Sequence, residues 1–271
     1  MPSACPHLPH ELRAPHEKHG VWADVLDSVI LPARRNATWN NYYDDLATLL
    51  KWQLEASHAW TGLPHAPSLR VVEIGTMYGG ASERMLTKLQ TAELFVVDPF
   101  LGGFAGKTAE AMPHGGTTLP QSVYPQLRGW GLDPASLSKA WARAMAFDLR
   151  SRFGCRAHVF HNFSLAVAPF FADGSVDAAF IDGLHTYDAL TADLHAWWPK
   201  IAPEGGVAIL NDYGTHQHPD VAKAANAFFR KRNSTICVGA RGRPPGHRNA
   251  WVVKGRQCQA SRFARNGVTQ R

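Results

Sequence analysis

Residues 69–98, LRVVEIGTMYGGASERMLTKLQTAELFVVD, contain the elements that decide the fold of this 271-residue chain. Two apolar segments, LRVVEI and ELFVVD, have the length and composition of buried β-strands. Between them, GTMYGGAS supplies glycines for a tight turn, and ERMLTKLQ follows with the pattern of a helix. A strand, a helix and a second strand over about 30 residues indicate a βαβ unit with parallel strands.

The same alternation of strand and helix patterns continues along the chain. Helical patterns at 186–201 and 220–232 separate several of the later strand candidates. Five such candidates follow, namely RAHVFHNF (156–163), VDAAFID (176–182), GGVAILND (205–212), TICVGA (235–240) and AWVVKG (250–255). Seven strands with interleaved helices predict an α/β domain with a doubly wound, mostly parallel seven-stranded sheet and helices on both faces.

The sheet domain is predicted to span residues 69–256, with further segments before, within and after it. Residues 1–68 form a predicted helical extension, in which YYDDLATLLKWQLEASHAW has apolar residues at helical spacing. We expect this extension to serve packing or homo-oligomer contacts rather than catalysis. Residues 101–150 begin with a Gly- and Pro-rich stretch that interrupts the pattern after the second strand, and they are predicted to form a lid-like insertion. Residues 257–271 form a basic tail.

Composition narrows the class of protein. The net charge is +6, and the excess of positive charge lies largely after Arg230. Since no aromatic residues interleave with it in an RNA-binding motif, we expect a solvated basic terminus and no nucleic-acid partner. The chain has no apolar run of about 18 residues and no signal-peptide pattern, which predicts a cytoplasmic protein without a membrane partner. Its four cysteines lack CxxC spacing, so free thiols are expected.

Ligands of doubly wound sheets bind beyond the carboxyl ends of the strands. At the first such end, Gly75, Gly79 and Gly80 permit backbone amides to approach a ligand near a helix N-terminus. Glu73 could accept a hydrogen bond from a ligand cation or amino group. Asp98 ends the second strand 25 residues later, where an acidic side chain can bind ribose hydroxyls. A nucleoside ligand is therefore favoured over a purely structural turn, but NAD and S-adenosylmethionine both remain open.

A resemblance to a known family decides between the two. VVEIGTMYGGAS at 71–82 resembles motif I of class I S-adenosylmethionine-dependent methyltransferases, especially the O-methyltransferase form, and departs from the GxGxxG of dehydrogenases. VDAAFIDGLHTYDALTADLHAWWPKIAPEGGVAILNDY at 176–213 resembles a block of the macrocin- and mycinamicin-type sugar O-methyltransferases. The resemblance implies a Rossmann-like fold with S-adenosylmethionine as cofactor. The cofactor-binding residues that follow from the motif and the strand ends are Glu73, Gly75, Thr76, Tyr78, Gly79, Asp98 and Asp182.

The resemblance also implies transfer of the methyl group to a hydroxyl oxygen with the help of a divalent metal. Asp182 ends the fourth strand, and Asn211 and Asp212 end the fifth, so their oxygens would form the predicted Mg²⁺ site. In the family, both residues at the end of the fifth strand are commonly acidic. Asn211 therefore removes one negative charge from the predicted metal site. His185 matches the histidine that the sugar methyltransferases use as general base. Asp182 and His185 are thus the predicted catalytic residues, and the acceptor would be a sugar, a phenol or a secondary metabolite.

Other classes of function stay open at this stage. Asp182 could instead bind a backbone amide while Asn211 shapes a loop, and an isolated histidine is more often a surface residue than a catalyst. A nucleic-acid methyltransferase would use the basic tail, and a non-catalytic S-adenosylmethionine-binding protein would keep only the cofactor turn. A nicotinamide-dependent oxidoreductase would share the glycine turn and Asp98.

Overall fold

The computed structural model of this protein describes residues 21–35, 43–54, 69–100, 134–239, 249–257 and 269–270. Its strands form one sheet: β1 (Leu69–Ile74), β2 (Ala92–Asp98), β3 (Ala157–His161), β4 (Ala178–Ile181), β5 (Val207–Leu210), β6 (Cys237–Val238), β7 (Ala250–Val253) and β8 (Thr269–Gln270). All seven predicted strands are present, and the α/β prediction is confirmed.

The order of strands across the sheet is β3-β2-β1-β4-β5-β7-β6-β8. The first five are parallel, whereas β7 runs antiparallel to both β5 and β6. The short β8 was not predicted and pairs with β6, so the predicted tail contributes an edge strand. The chain winds in opposite directions from β1 and from β4, which places the ligand-binding crevice at the carboxyl ends of these two neighbours.

Helices cover both faces of the sheet. They are α1 (Val21–Val25), which passes through a π-helical turn (Leu26–Ile30) into α2 (Leu31–Arg34), then α3 (43–54), α4 (Gly80–Lys88), α5 (Pro134–Phe153), α6 (Ser164–Val167), α7 (Tyr187–Trp197) and α8 (Pro219–Arg230). Side chains alternate between two apolar cores along β1. Val71 packs in the core shared with Met145 of α5, and Val72 packs in the core shared with Trp197 of α7.

The described parts of the N-terminal extension are helical and pack into their own chain. The ring of Trp22 lies 4.8 Å from that of Phe147, and Arg34 forms a buried ion pair with Asp148. Contacts with a second copy of the chain stay a prediction. Helix α5 takes up residues 134–150 of the predicted insertion and packs in the core. Residues 101–133, where the rest of the lid prediction falls, lie outside the described residues.

The expectation of free thiols is wrong for Cys155 and Cys237, because both are disulfide-bonded. Cys155 precedes β3 and Cys237 lies in β6, with five strands between them. Bonded cysteines have Cα atoms within about 7 Å, so these two do not bridge to each other. Among the described helices, none is long and apolar enough to cross a membrane.

Candidate active site

The turn after β1 joins the ends of β1 and β4. Gly75 has a φ of +80°, and a Cβ added there would lie 2.2 Å from the carbonyl oxygen of Asp182. Only glycine fits this position, since any side chain would collide with the neighbouring backbone. The amide of Asp182 donates to the carbonyl of Ile74 over 2.8 Å. The predicted turn residue and Asp182 are therefore in direct contact.

Glu73 lies beneath this turn and is fully buried. The hydroxyl of Ser82 donates to its Oε2, and Ser82 Oγ lies 2.7 Å from Thr76 Oγ1. The other oxygen, Oε1, is buried and has no hydrogen-bond partner among the described residues. Burial raises the pKa of Glu73 to about 8. A cationic group of a ligand would both satisfy Oε1 and stabilise the ionised carboxylate.

The raised pKa of Glu73 predicts a specific pH dependence of stability. The carboxyl ionises near pH 8 in the folded protein and near 4.5 when unfolded, so its stabilising contribution is lost as the pH rises between these values. Glu73→Gln has no such loss. Between about pH 5 and pH 9, we expect the stability of the variant to rise relative to wild type by on the order of 3 kcal/mol. Urea unfolding of both ligand-free proteins measures this, and an equal difference at both pH values would contradict it.

Asp98 connects the same turn to the end of β2. Its Oδ2 accepts hydrogen bonds from the amides of Thr76 at 2.8 Å and Met77 at 3.2 Å. Its Oδ1 accepts one from the amide of Phe100 at 2.6 Å. Met77 has a φ of +52°, a conformation that is strained for a non-glycine residue. Asp98 thus holds the turn in shape, and acceptor capacity remains on Oδ1 for the predicted ribose hydroxyl.

The ends of β4 and β5 bring the second group of predicted residues together. Asn211 Nδ2 donates to Asp182 Oδ1 over 2.6 Å. Nε2 of His185 lies 3.3 Å from Asp182 Oδ1 and 3.4 Å from Asp212 Oδ2. Burial alone lowers the pKa of His185, but its hydrogen bond to Asp182 and the charges of the two carboxylates raise it overall. The ring is therefore held between two acidic side chains.

His218, which precedes α8, belongs to the same cluster and was not predicted. Its Nε2 lies 3.6 Å from Asp212 Oδ2, and its ring stacks on that of His185 with centroids 4.3 Å apart. Asp212 has a φ of +52°, a second strained non-glycine residue at this edge of the sheet. In the sequence, the one indication of a role for His218 is its position at the start of a predicted helix. That position alone is too weak to predict a residue of the site.

Tyr43 of α3 adds a residue of the N-terminal extension to the site. Burial raises the pKa of the Tyr43 phenol, and the negative charges of Asp182 and Glu73 raise it further. A Cβ at Gly80 would lie 2.5 Å from Cε2 of Tyr43. Glycine at position 80 therefore leaves space for Tyr43. The N-terminal extension thus covers the turn after β1 in addition to its expected packing role.

Residues 72–213 match the family model of a methyltransferase domain, which covers more than half of the chain. The chain belongs to this methyltransferase family. The predicted class I, S-adenosylmethionine-dependent type is thereby confirmed, and the macrocin- and mycinamicin-type group stays a prediction. A comparison with the curated proteins gives no significant match.

Several solved structures are similar to this methyltransferase. A protein from Corynebacterium glutamicum is 15% identical, with 90% of this chain and 94% of that chain covered and a TM-score of 0.47. The 1,6-didemethyltoxoflavin-N1-methyltransferase of Burkholderia thailandensis is 15% identical, with 89% and 92% covered and a TM-score of 0.43. A predicted O-methyltransferase of Agrobacterium tumefaciens is 14% identical, with 75% and 80% covered and a TM-score of 0.42.

The predicted cofactor residues of the methyltransferase lie together around the turn after β1. Some of them support this turn, and others are placed to contact a ligand. Tyr78 packs its ring on Trp141 at 5.6 Å, and a Cβ at Gly79 would lie 2.5 Å from Arg34. Both therefore support the turn from the protein side. Glu73 and Asp98 remain the predicted contacts to S-adenosylmethionine, together with the backbone of the turn.

Replacing Asp98 with Ala should weaken S-adenosylmethionine binding at least about tenfold, because each hydrogen bond to a charged acceptor is worth about 1.5–3 kcal/mol. Two backbone amides of the turn and one that follows β2 lose their acceptor in this variant. Calorimetric titration measures the affinity. Asp177→Ala is the matched control, since Asp177 accepts the amide of Arg70 over 2.7 Å at the opposite end of β1. Equal losses in both variants would contradict a role of Asp98 at the cofactor site.

The predicted magnesium ligands meet, but they do not form an open cradle of oxygens. Asn211 presents its amide nitrogen to Asp182. The imidazole of His185 lies within 3.4 Å of the carboxylates of Asp182 and Asp212, so it competes with an ion for the space between them. Mg²⁺ prefers oxygen ligands in near-ideal octahedral geometry. This arrangement fits it poorly, and magnesium binding by Asp182, Asn211 and Asp212 stays a prediction.

Proposed function

We propose that this methyltransferase moves the methyl group of S-adenosylmethionine to a hydroxyl oxygen of a small molecule, with His185 as proton acceptor. The observation that carries the proposal is the position of the His185 ring between two carboxylates at the rim next to the cofactor turn. Asp182 and Asp212 can only accept when ionised, so Nε2 of His185 bears the proton between them. Nδ1 is buried in this structure, so the rim must open before its lone pair accepts the proton of the acceptor hydroxyl.

The remaining residues of the site support a cationic cofactor. S-adenosylmethionine supplies a methyl group on a positively charged sulfonium when it is bound. Asp98 places a carboxylate beside the turn, and the buried carboxyl of Glu73 beneath it ionises when a cationic group binds. Its Oε1, which has no hydrogen-bond partner among the described residues, matches a cationic amino group. The amides of the turn and the carboxylate of Asp98 hold the ligand in one orientation, so positioning contributes much of the rate.

The acceptor is proposed to be a hydroxylated molecule with an apolar part, such as a phenol, a secondary metabolite or a sugar that carries an apolar aglycone. Carboxylates at the rim disfavour an anionic acceptor by charge repulsion. Exposed apolar side chains follow β1, β3 and β4 on the same edge of the sheet and offer contacts for the apolar part. They are Met77, Phe163, Leu165, Leu184 and Tyr187, with exposed fractions of 38% to 58%.

The proposal is tested by calorimetric titration with S-adenosylmethionine, followed by a screen with cofactor labelled in the methyl group. The panel contains phenols, hydroxylated secondary metabolites, sugars and their glycosides, and also amines and transfer RNA. We expect S-adenosylmethionine to bind and the label to appear on an oxygen, located by NMR of the product. Labelling confined to nitrogen or to RNA would overturn the oxygen-directed assignment, and the absence of cofactor binding would overturn the proposal as a whole.

A further inference from the structure

We infer that His185, Asp212 and His218 form a binding site for a divalent transition-metal ion such as Zn²⁺ or Co²⁺. Nε2 of each histidine lies near the same oxygen, Asp212 Oδ2, at 3.4 Å from His185 and 3.6 Å from His218. One potential ligand atom of each residue lies within 4.8 Å of the other two. Three metal-binding groups thus converge on one place.

The spacing of these atoms is close to that of a tetrahedral metal site. The contacts of His185 and His218 to Asp212 are longer than the usual N–H···O distance of about 2.9–3.0 Å. With bonds of about 2.0–2.1 Å to zinc, two ligand atoms of a tetrahedral site lie about 3.3–3.4 Å apart. Rotation and small movements of the side chains around an ion would therefore bring the three groups to bonding distance.

Three separate elements hold the ligands in place. His185 lies just before α7, Asp212 follows β5 in a left-handed conformation, and His218 precedes α8. The two imidazole rings stack at 4.3 Å with 26° between their planes. Because an imidazole lone pair lies in the plane of its ring, the two stacked rings present their nitrogens side by side, and one ring must rotate about its side-chain bonds before both nitrogens face a single ion.

The types of ligand decide which ion binds. Imidazole nitrogen suits Zn²⁺, Co²⁺ and Ni²⁺, whereas Mg²⁺ and Ca²⁺ prefer oxygen. Two histidines and one carboxylate also leave a coordination position for water or a ligand oxygen, as in catalytic zinc sites. The site therefore differs from the predicted oxygen set of Asp182, Asn211 and Asp212, with which it shares only Asp212.

Ion binding and the proposed proton transfer exclude each other at His185. An ion on Nε2 replaces the proton there, so the remaining proton of the neutral ring lies on Nδ1. Nδ1 then has no lone pair for the acceptor hydroxyl. The consequence for catalysis rests on the proposed function, but the site itself does not, so the two fail separately.

Titration with Co²⁺, read by its visible absorption, tests the site without any methyl acceptor. The full chain is used after removal of any affinity tag and treatment with a chelator. We expect binding of one Co²⁺ per chain with the intense spectrum of four- or five-coordinate cobalt, displacement by Zn²⁺, and no displacement by an excess of Mg²⁺. An octahedral spectrum of weak intensity, or displacement by Mg²⁺, would show the oxygen set instead.

Variants assign the ligands. His218→Ala removes a ligand and Asp212→Asn replaces an anionic ligand with a weaker neutral one, so each should lower the Co²⁺ affinity at least about tenfold. Asn tolerates the left-handed backbone at position 212, so this variant keeps the fold. His216→Ala replaces an exposed neighbouring histidine and should leave the affinity unchanged. Wild-type affinity in both His218→Ala and Asp212→Asn, with circular dichroism like that of wild type, would overturn the inference.

Discussion

In chelator-treated protein, His185→Ala should lower the methyl-transfer turnover by about 10²–10⁴, the usual contribution of a positioned general base. The variant lacks the ring that Asp182 and Asp212 hold at 3.3 and 3.4 Å, and the remaining imidazole, that of His218, lies 3.6 Å from Asp212. The loss should shrink at high pH, where more of the acceptor hydroxyl is already ionised. S-adenosylmethionine affinity should hardly change, because His185 is not among the predicted cofactor contacts. Turnover and affinity are measured separately on the same preparations.

His195→Ala is the matched control for that experiment. His195 belongs to α7 and packs edge-on against Phe228 at 5.1 Å, away from the rim. Its loss should reduce stability without reducing turnover in the folded protein. Normal turnover of His185→Ala would remove the proposed base. If wild type itself is inactive after chelation and Zn²⁺ or Co²⁺ restores it, the activity belongs to the ion-bound form and His185 acts as a ligand.

Gly75→Ala should destabilise the protein by about 2–5 kcal/mol, because left-handed strain and overpacking add at one position. The new Cβ would lie 2.2 Å from the carbonyl oxygen of Asp182, so either the turn or the end of β4 must move. Both movements disturb the cofactor turn, and we expect S-adenosylmethionine affinity to fall at least about tenfold. Thermal unfolding and calorimetric titration measure the two effects.

Gly154→Ala separates the collision from the backbone strain. Gly154 has a φ of +62°, and a Cβ added there meets no atom within 4 Å. Only the left-handed conformation then opposes the substitution, at about 1–2 kcal/mol, and cofactor affinity should be that of wild type. If the two variants lose the same stability and both bind S-adenosylmethionine normally, the contact between Gly75 and Asp182 does not shape the site.

Much of the site could be predicted because it depends on local sequence and on a general property of parallel sheets. Glu73, Asp98 and Asp182 each end or follow a strand with a clear apolar pattern. Parallel neighbouring strands bring such ends to one edge, so the convergence of these residues follows once the strands are recognised. His185 was predicted from its place three residues after Asp182 together with the resemblance to the sugar methyltransferases.

The roles of the predicted residues were harder to infer, because they depend on which atom faces which neighbour. Asp98 was expected to bind a ribose, and the structure shows that its carboxylate also holds three amides of the turns. Asn211 was expected to offer an oxygen to a metal, whereas its amide nitrogen faces Asp182. The sequence lists donors and acceptors, but their pairing requires the distances between them.

The sequence by itself determined the βαβ start, the seven strands of the doubly wound sheet, and the methyltransferase motif with its acidic residues at the strand ends. Strand and helix periodicity are local signals, and the order of parallel strands then leaves few choices. Only the tertiary structure decided that Tyr43 covers the turn and that His218 stacks on His185 beside Asp212. Those contacts depend on side-chain packing between segments that are far apart in the chain. A single sequence has no periodic pattern that predicts such contacts.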